Sequence, residues 1–180
     1  MFNHDPYAEL ANLKPVDSFP VVSADFTDDG DLPLAHYAKG SGGRDLSPQL
    51  SWSGFPSATK SFAVTCLDPD APTGTGWWHW AVFNLPVSVT SLDSGAGAPH
   101  SGLLPRGAIT LPNESRLAAF GGAAPPPGTG VHRYIFVVHA LDVASLSLDA
   151  QSTPAVLGIN LFFHGLGRGI LTARGEHGAA

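Results

Sequence analysis

The chain has 180 residues, of which 43% are hydrophobic and 13% are charged. This length fits one domain with a substantial core, and the apolar composition excludes an intrinsically disordered chain. The formal net charge is −6, from 9 Lys and Arg against 15 Asp and Glu, and no basic cluster occurs, so nucleic acid is not an expected partner.

The two ends of the chain have the composition of fraying segments. Residues 1–18 predict an N-terminal extension, residues 19–172 a single domain, and residues 173–180 a flexible, small and polar tail. Residues 1–10 lack the basic start and apolar run of a signal peptide, and no stretch approaches 18 consecutive apolar residues. We therefore expect a cytoplasmic protein without a membrane span.

Three segments rich in Val, Phe, Tyr, Trp and Ile predict the core strands: residues 60–67, 79–85 and 132–141. The 21 glycines and 16 prolines favour such short strands and turns over long helices. Weaker strands are predicted at residues 21–26, 50–53 and 109–111. Both alternating sets of residues 132–141 are largely apolar, which predicts a strand in the middle of a sheet with both faces covered.

One helix is predicted over residues 154–168, with Thr153 as its N-cap and Pro154 in its first turn. The apolar residues at helical spacing form one stripe: Ile159, Phe162, Phe163, Leu166 and Ile170. The predicted fold is therefore mainly β, with one helix near the C-terminus.

A proline-rich loop follows the first core strand. Asp68 and Asp70 alternate there with Pro69, and Pro72 closes the loop, so its path is rigid and non-helical. An ordinary turn, in which the carboxylates accept hydrogen bonds from backbone amides, is the alternative to a functional loop. Because proline turns beside sites concentrate cis bonds, we expect a cis peptide bond between Ala71 and Pro72.

Histidines open the other two core strands. His79 stands among three tryptophans, where an apolar wall disfavours the charged ring unless a carboxylate lies near. His132 and Tyr134 point to one face of their strand and Arg133 to the other, after a Gly- and Pro-rich loop at residues 121–130. A satisfied pair of core side chains is the alternative for His132 and Tyr134.

Signs of catalysis are few. Cys66 lies inside a predicted strand and is assigned to the core, and no G-x-S-x-G motif occurs. Asp68, His79 and His132 have the ligand types of a metal site, so a hydrolase or metal-dependent enzyme acting on phosphate or carboxylate esters is the alternative. The sequence favours a non-catalytic binding protein, with no catalytic residue, metal ligand or cofactor assigned.

Two long segments carry a family resemblance: DPDAPTGTGWWHWAVFNLP at residues 68–86 and GGAAPPPGTGVHRYIFVVHALD at residues 121–142. They resemble the signature motifs of the phosphatidylethanolamine-binding protein family, in its bacterial Raf-kinase-inhibitor-like branch. Residues 46–64 and 160–166 extend the similarity over most of residues 20–172. The resemblance implies an antiparallel β-sandwich of two sheets and a small cavity for phosphate-containing or carboxylate ligands.

The ligand-binding residues that the resemblance implies are Asp68, Asp70, Pro72, His79, Gly122, Ala124, Pro125, His132 and Tyr134. The two histidines and the tyrosine are expected to donate hydrogen bonds to the anion, and a shared proton offsets its repulsion by Asp68. Binding that improves as pH falls is therefore predicted. The implied ligand is a phosphorylated small molecule, a lipid head group or a phosphopeptide. A kinase or a protease as protein partner and a homodimer are further implications.

Overall fold

The fold consists of two β-sheets and two helices. The computed structural model describes residues 4–178. In chain order the elements are α1 (Pro6–Leu13), β1 (Asp17–Ser18), β2 (Val21–Val22), β3 (Gly30–Asp31), β4 (Leu50–Trp52), β5 (Ser61–Asp68), β6 (Trp77–Pro86), β7 (Ser91–Leu92), β8 (Ile109–Thr110), β9 (His132–Leu141), α2 (Pro154–His164) and β10 (Gly165–Gly175), with 3₁₀ turns at Leu34–His36 and Lys39–Ser41.

The larger sheet has the strand order β1-β10-β9-β5-β6-β8, with β3 beside β1 on the same edge of β10, and the smaller sheet has the order β2-β4-β7. The four long strands pair antiparallel with one another. Strands β1 and β3 pair parallel with β10, which is the exception to the predicted antiparallel arrangement. The predicted mainly β sandwich with a helix near the C-terminus is confirmed.

An aromatic core fills the space between the sheets. Phe62 of β5 is fully buried, with its ring centroid 5.4 Å from Trp52 of β4 and 4.8 Å from Phe55. On the other side of the larger sheet, Leu157 and Leu161 of α2 cover a second apolar cluster. Strand β9 is therefore buried on both faces, as predicted from its sequence.

The C-terminal segment differs from the predicted helix over residues 154–168. Helix α2 ends at His164, and residues 165–175 form β10, so residues 173–175 of the predicted tail are strand. Glycines at residues 165, 167 and 169 explain why a strand replaces the helix here. A Cβ at Gly167 or Gly169 would contact Phe19, which belongs to the core between the two sheets. Contrary to the predicted stripe, Ile159 and Phe163 are exposed, and α2 buries Pro154, Leu157 and Leu161 instead.

The N-terminal segment contains a helix that the sequence did not lead us to expect. Asp5 caps α1 by accepting hydrogen bonds from the backbone N–H groups of Tyr7 and Ala8, and Pro6 occupies the first turn. Tyr7 is buried against the larger sheet. Residues 1–3 of the predicted extension and residues 179–180 of the predicted tail lie outside the described part of the chain.

Neither helix within residues 4–178 has the length and apolar character needed to cross a membrane. The predicted cis bond between Ala71 and Pro72 is wrong, since all peptide bonds in this range are trans. The loop turns through hydrogen bonds instead: Asp68 accepts from the N–H of Asp70, and the N–H of Thr73 donates to the carbonyl of Ala71.

Candidate functional site

A cavity of about 500 Å³ opens at the end of the larger sheet where β5 ends and β6 and β9 begin. This volume suits a small ligand. Seven of the nine residues named from the sequence lie in its wall: Asp68, Pro72, His79, Gly122, Ala124, Pro125 and His132. The antiparallel order of the strands brings these distant parts of the chain together.

Asp68 is the last residue of β5, is 3% exposed, and uses both carboxylate oxygens. Oδ1 accepts a hydrogen bond of 2.9 Å from the N–H of Asp70, and Oδ2 accepts one of 2.7 Å from Nδ1–H of His132. A buried carboxylate needs such donors to offset its lost hydration. Asp68 therefore holds both the loop that follows it and the orientation of the His132 ring.

The second ring nitrogen of His132 faces Thr129. The Nε2 atom lies 2.8 Å from Thr129 Oγ1, which also lies 2.7 Å from the carbonyl oxygen of Pro126. Thr129 has one hydroxyl proton, and when it goes to the Pro126 carbonyl, His132 Nε2–H is the donor to Thr129. In that arrangement His132 donates from both ring nitrogens.

A β-bulge turns His79 toward the cavity. Cys66 of β5 pairs with Trp80, but the next residue, Leu67, pairs with Trp78, so β6 has one extra residue at His79. As a result, Trp80 and His79 both face the inner side of the sheet, and the His79 ring packs edge-on against Tyr134 with centroids 5.2 Å apart. Regular alternation would have sent one of the two to the outer face.

His79 is a hydrogen-bond donor through Nδ1, which lies 2.7 Å from the carbonyl oxygen of Gly121. Burial lowers the pKa of His79 below its usual value of 6.5, although the bond to Gly121 opposes this effect. The ring is therefore neutral at pH 7, and its Nε2 is an acceptor. Nε2 can donate to a bound anion only after His79 takes up a proton.

One wall of the cavity is the segment of residues 121–126. The N–H of Gly122 donates to Asp45 Oδ1 at 2.9 Å, and Ala123 forms a parallel bridge with Tyr37. Ala124 and Pro125 continue the wall without adding a charged group. The segment is thus held by the neighbouring turn around residues 37–45.

Gly122→Ala is expected to destabilise the protein. The added Cβ would overlap backbone atoms of Tyr37 and Ala38, which cannot rotate away as a side chain can. We expect a loss of roughly 1–3 kcal/mol in unfolding free energy, measured by thermal or urea unfolding. Gly40→Ala is the matched control, because a Cβ there has no atom within 4 Å. An unchanged midpoint for Gly122→Ala would show that the wall is not held as described.

Asp70 does not line the cavity. Its carboxylate forms two hydrogen bonds with the Arg133 guanidinium, of 2.8 and 2.9 Å, and accepts a third of 3.0 Å from the Arg133 N–H. Burial raises the pKa of the Asp70 carboxyl, but the hydrogen bonds and charge of Arg133 outweigh burial and bring the pKa below its usual value. Asp70 thus attaches the loop to β9 on the face opposite His132.

Tyr134 lies behind the cavity rather than in its wall. It is 2% exposed, and its hydroxyl oxygen is buried without a hydrogen-bond partner among the described residues. Burial raises the pKa of Tyr134, and the nearby Asp68 adds to this effect. The phenol is therefore neutral and supports the His79 ring by packing.

Several wall residues were not found from the sequence: Lys39, Asp45, Trp77 and Asn113. Asn113 shapes a loop by accepting from the N–H groups of Ser115 and Leu117 through Oδ1. No local pattern links Asp45 to Gly122, which lies 77 positions later in the chain. Of these four residues, only Trp77 had a signal, because it lies in the quoted motif two positions before His79.

Cys66 belongs to the core, as the sequence predicts. Cys66 is fully buried in the inner core, and burial, with a contribution from Asp68, raises the pKa of its thiol well above the usual value. The thiol therefore stays protonated and serves as a core side chain. Within residues 4–178, no three His, Cys, Asp or Glu side chains are grouped as a metal site requires.

Comparisons with known proteins agree with the fold. A family model described as phosphatidylethanolamine-binding protein matches residues 22–176. The UPF0098 protein YbhB of Escherichia coli is 45% identical over 157 residues, which cover 85% of this chain and 97% of YbhB. YbcL of Escherichia coli is 45% identical over 146 residues, covering 80% of each chain. The crystal structure of YbcL, described as a new member of the mammalian PEBP family, superposes with a TM-score of 0.84 at 42% identity, covering 88% of this chain and 98% of YbcL.

Proposed function

The chain belongs to the phosphatidylethanolamine-binding protein family, and from that premise we propose that it is a non-catalytic binding protein whose cavity holds one small anion. The proposed ligand carries a phosphate or carboxylate group, as a phosphorylated small molecule, a lipid head group or a phosphopeptide does. Modulation of a kinase or a protease is the consequence that we propose for such binding.

The observation that carries this proposal is the matched anchoring of two histidines in one cavity wall. Nδ1–H of His132 donates to Asp68, and Nδ1–H of His79 donates to the carbonyl of Gly121. Both rings therefore have fixed orientations and leave Nε2 for a ligand. Within residues 4–178, the one hydrogen-bond partner of His132 Nε2 is the hydroxyl of Thr129, which a bound anion would replace.

The charge of Asp68 does not prevent anion binding in this arrangement. Both of its oxygens already accept hydrogen bonds from the protein, which reduces the field that a ligand meets. Lys39 lies in the cavity wall, is exposed to solvent, and adds a positive charge there. A proton taken up by His79 supplies the remaining donor, at Nε2.

Calorimetric titration with phosphate and phosphoethanolamine at pH 6 tests the proposal. We expect measurable binding that His79→Gln weakens by about ten- to a hundredfold, because hydrogen bonds to charged groups in sheltered sites are strong. His164→Gln is the control, since His164 bonds Asp142 at the surface, with 37% of its side chain exposed. No heat at millimolar ligand, or equal heat from wild type and His79→Gln, would contradict the anion cavity.

The affinity for sulfate should rise as pH falls from 8 to 5.5. Burial keeps the pKa of His79 below 6.5 in the free protein, so a bound anion must bring a proton to this ring. Uptake of one proton permits an increase of at most about tenfold per pH unit. Sulfate keeps its charge over this range, whereas phosphate does not, so the slope reports the protein. His79→Gln should flatten the slope, and a flat slope in the wild type would refute proton uptake at His79.

A further inference from the structure

A second cavity, of about 470 Å³, lies on the outer face of the larger sheet between α1 and α2. It shares no lining residue with the anion cavity. Its walls are mostly apolar, and among them Leu10 comes from α1, Phe162 from α2 and Trp78 from β6. We call this second cavity the outer groove.

Hydrogen bonds link the two helices that border the outer groove. The Nζ atom of Lys14, which follows α1, donates hydrogen bonds of 2.9 Å to the carbonyl oxygens of Phe162 and Phe163 at the end of α2. These carbonyls lack partners within the helix, so the lysine also caps α2. The distance between the helices is therefore fixed, and the groove between them is preformed.

The floor of the outer groove is a short row of polar side chains. Tyr7 Oη lies 3.4 Å from Thr65 Oγ1, which lies 3.1 Å from His139 Nε2. Burial, with a contribution from Arg168, lowers the pKa of His139 to about 3, and burial raises the pKa of Tyr7 to about 12. Both rings are therefore neutral at pH 7, and Arg168 is the one charged side chain in the described groove lining.

Arg168 is a partly buried cation without a carboxylate. It is the cross-strand neighbour of His139, and within residues 4–178 its guanidinium makes no hydrogen bond or ion pair. Burial lowers the pKa of Arg168, and Tyr7 opposes this effect only in part; no carboxylate of residues 4–178 contributes. By contrast, Arg133 and Arg174 each bond a carboxylate, of Asp70 and Asp29 respectively. An unpaired cation with five donors at an apolar site is the complement of a carboxylate.

We propose that the outer groove binds an amphipathic monocarboxylate, with the carboxylate on Arg168 and the apolar chain between α1 and α2. Charge complementarity determines the head group, since the described lining contains one guanidinium and no Asp or Glu. The apolar walls determine the rest of the ligand. Leu13 and Ile159, which line the groove, are 74% and 52% exposed, so a chain lying there would cover apolar surface that now meets water.

Dodecanoate is the probe, titrated calorimetrically into the full-length protein at pH 7.5 below its micellar concentration. We expect dodecanoate to bind at one site, acetate to give no heat at this site, and dodecanol to bind about ten- to a hundredfold more weakly. Equal affinities for dodecanol and dodecanoate would overturn the role of Arg168. Absence of dodecanoate binding would overturn the proposal as a whole.

Two variants locate the probe in the outer groove. Arg168→Gln should weaken dodecanoate binding by about ten- to a hundredfold without a loss of stability, because the guanidinium bonds no described group. Arg174→Gln, on the same face of β10 but paired with Asp29, is the control. Gly158→Leu should block binding while preserving α2, because a Cβ at this groove residue meets no atom within 4 Å and leucine favours helix.

Competition separates this proposal from the anion cavity. Saturating phosphate should leave dodecanoate binding unchanged, and Arg168→Gln should leave phosphate binding unchanged, whether or not phosphate binds at all. Displacement of dodecanoate by phosphate would place the probe in the anion cavity and overturn the inference. Sedimentation supplies the last outcome: a dimer that Gly158→Leu abolishes and dodecanoate does not dissociate would show that a second copy occupies the groove instead.

Discussion

Asp68→Asn is expected to reduce the affinity for phosphate and sulfate by about ten- to a hundredfold at both pH 5.5 and pH 8. An asparagine has one acceptor oxygen, whereas Asp68 accepts from the Asp70 N–H and from His132 Nδ1–H through different oxygens. The amide NH₂ would therefore face one of these donors, and the His132 ring would lose its fixed orientation. Calorimetric titration of the variant at the two pH values measures the effect.

Asp142→Asn is the matched control for that experiment. Asp142 accepts a hydrogen bond of 2.9 Å from a ring nitrogen of His164, but the pair is exposed and lies just beyond the end of β9 opposite His132. We expect no change in anion affinity from this substitution. If Asp68→Asn bound the anion as well as the wild type at both pH values, Asp68 would be a repelling neighbour and its assignment as a site residue would fail. Thermal unfolding of the variant confirms that the titrated protein is folded.

The strands could be predicted from sequence where their residue composition fits only one position in a sheet. The predicted strand at residues 132–141 has the observed bounds, because its apolar residues on both faces suit only the centre of a covered sheet. The end of α2 could not be predicted in the same way, since the spacing of apolar residues 159–170 fits a helix. The chain forms a strand after residue 164 because Gly167 and Gly169 pack closely against the core between the sheets. This is a tertiary contact, which local sequence spacing does not show.

The cavity residues that the sequence identified fall into two groups. Asp68, His79 and His132 were visible as chemical groups near strand ends, and the structure brings their side chains to one wall. The resemblance also named Asp70 and Tyr134, but the structure places them behind the wall, where they hold Arg133 and the His79 ring. Sequence alternation does place Arg133 and Tyr134 on opposite faces, yet only the fold shows that Asp70 reaches around the strand end to Arg133.

Long-range contacts and local irregularities account for the remaining differences. The bulge at His79 has no sequence mark, because Trp-His-Trp alternates as a regular strand would. Asp45 accepts a hydrogen bond from Gly122, which lies 77 positions later in the chain. Lys14 links α1 to α2 by hydrogen bonds across nearly 150 positions. The outer groove depends on that last contact and on α1, so its lining could not be assembled from the predicted elements alone.

Asp70→Asn is expected to cause the largest loss of stability among the single substitutions considered. Asp70 is 4% exposed and accepts three hydrogen bonds from Arg133, so the amide would leave a partly buried guanidinium facing an NH₂ group. Breaking a buried ion pair in this way costs about 3–5 kcal/mol, and the lower end applies because Arg133 retains some exposure. At about 2–4 °C per kcal/mol for a chain of this length, the thermal midpoint should fall by roughly 6–12 °C.

The pH dependence of that loss identifies its source. Because the pKa of Asp70 in the folded state lies below its usual value, its stabilisation is complete at neutral pH and is lost as pH falls through the folded-state pKa. The difference in thermal midpoint between wild type and Asp70→Asn should therefore be full at pH 7 and shrink below about pH 4.

Asp29→Asn is the control, because Asp29 forms the same two hydrogen bonds with Arg174 but at the surface, where water can replace the lost partner. Equal midpoints for Asp70→Asn and the wild type would show that Arg133 does not depend on Asp70. A folded Asp70→Asn protein that has lost phosphate binding would place Asp70 in the binding site instead of behind it.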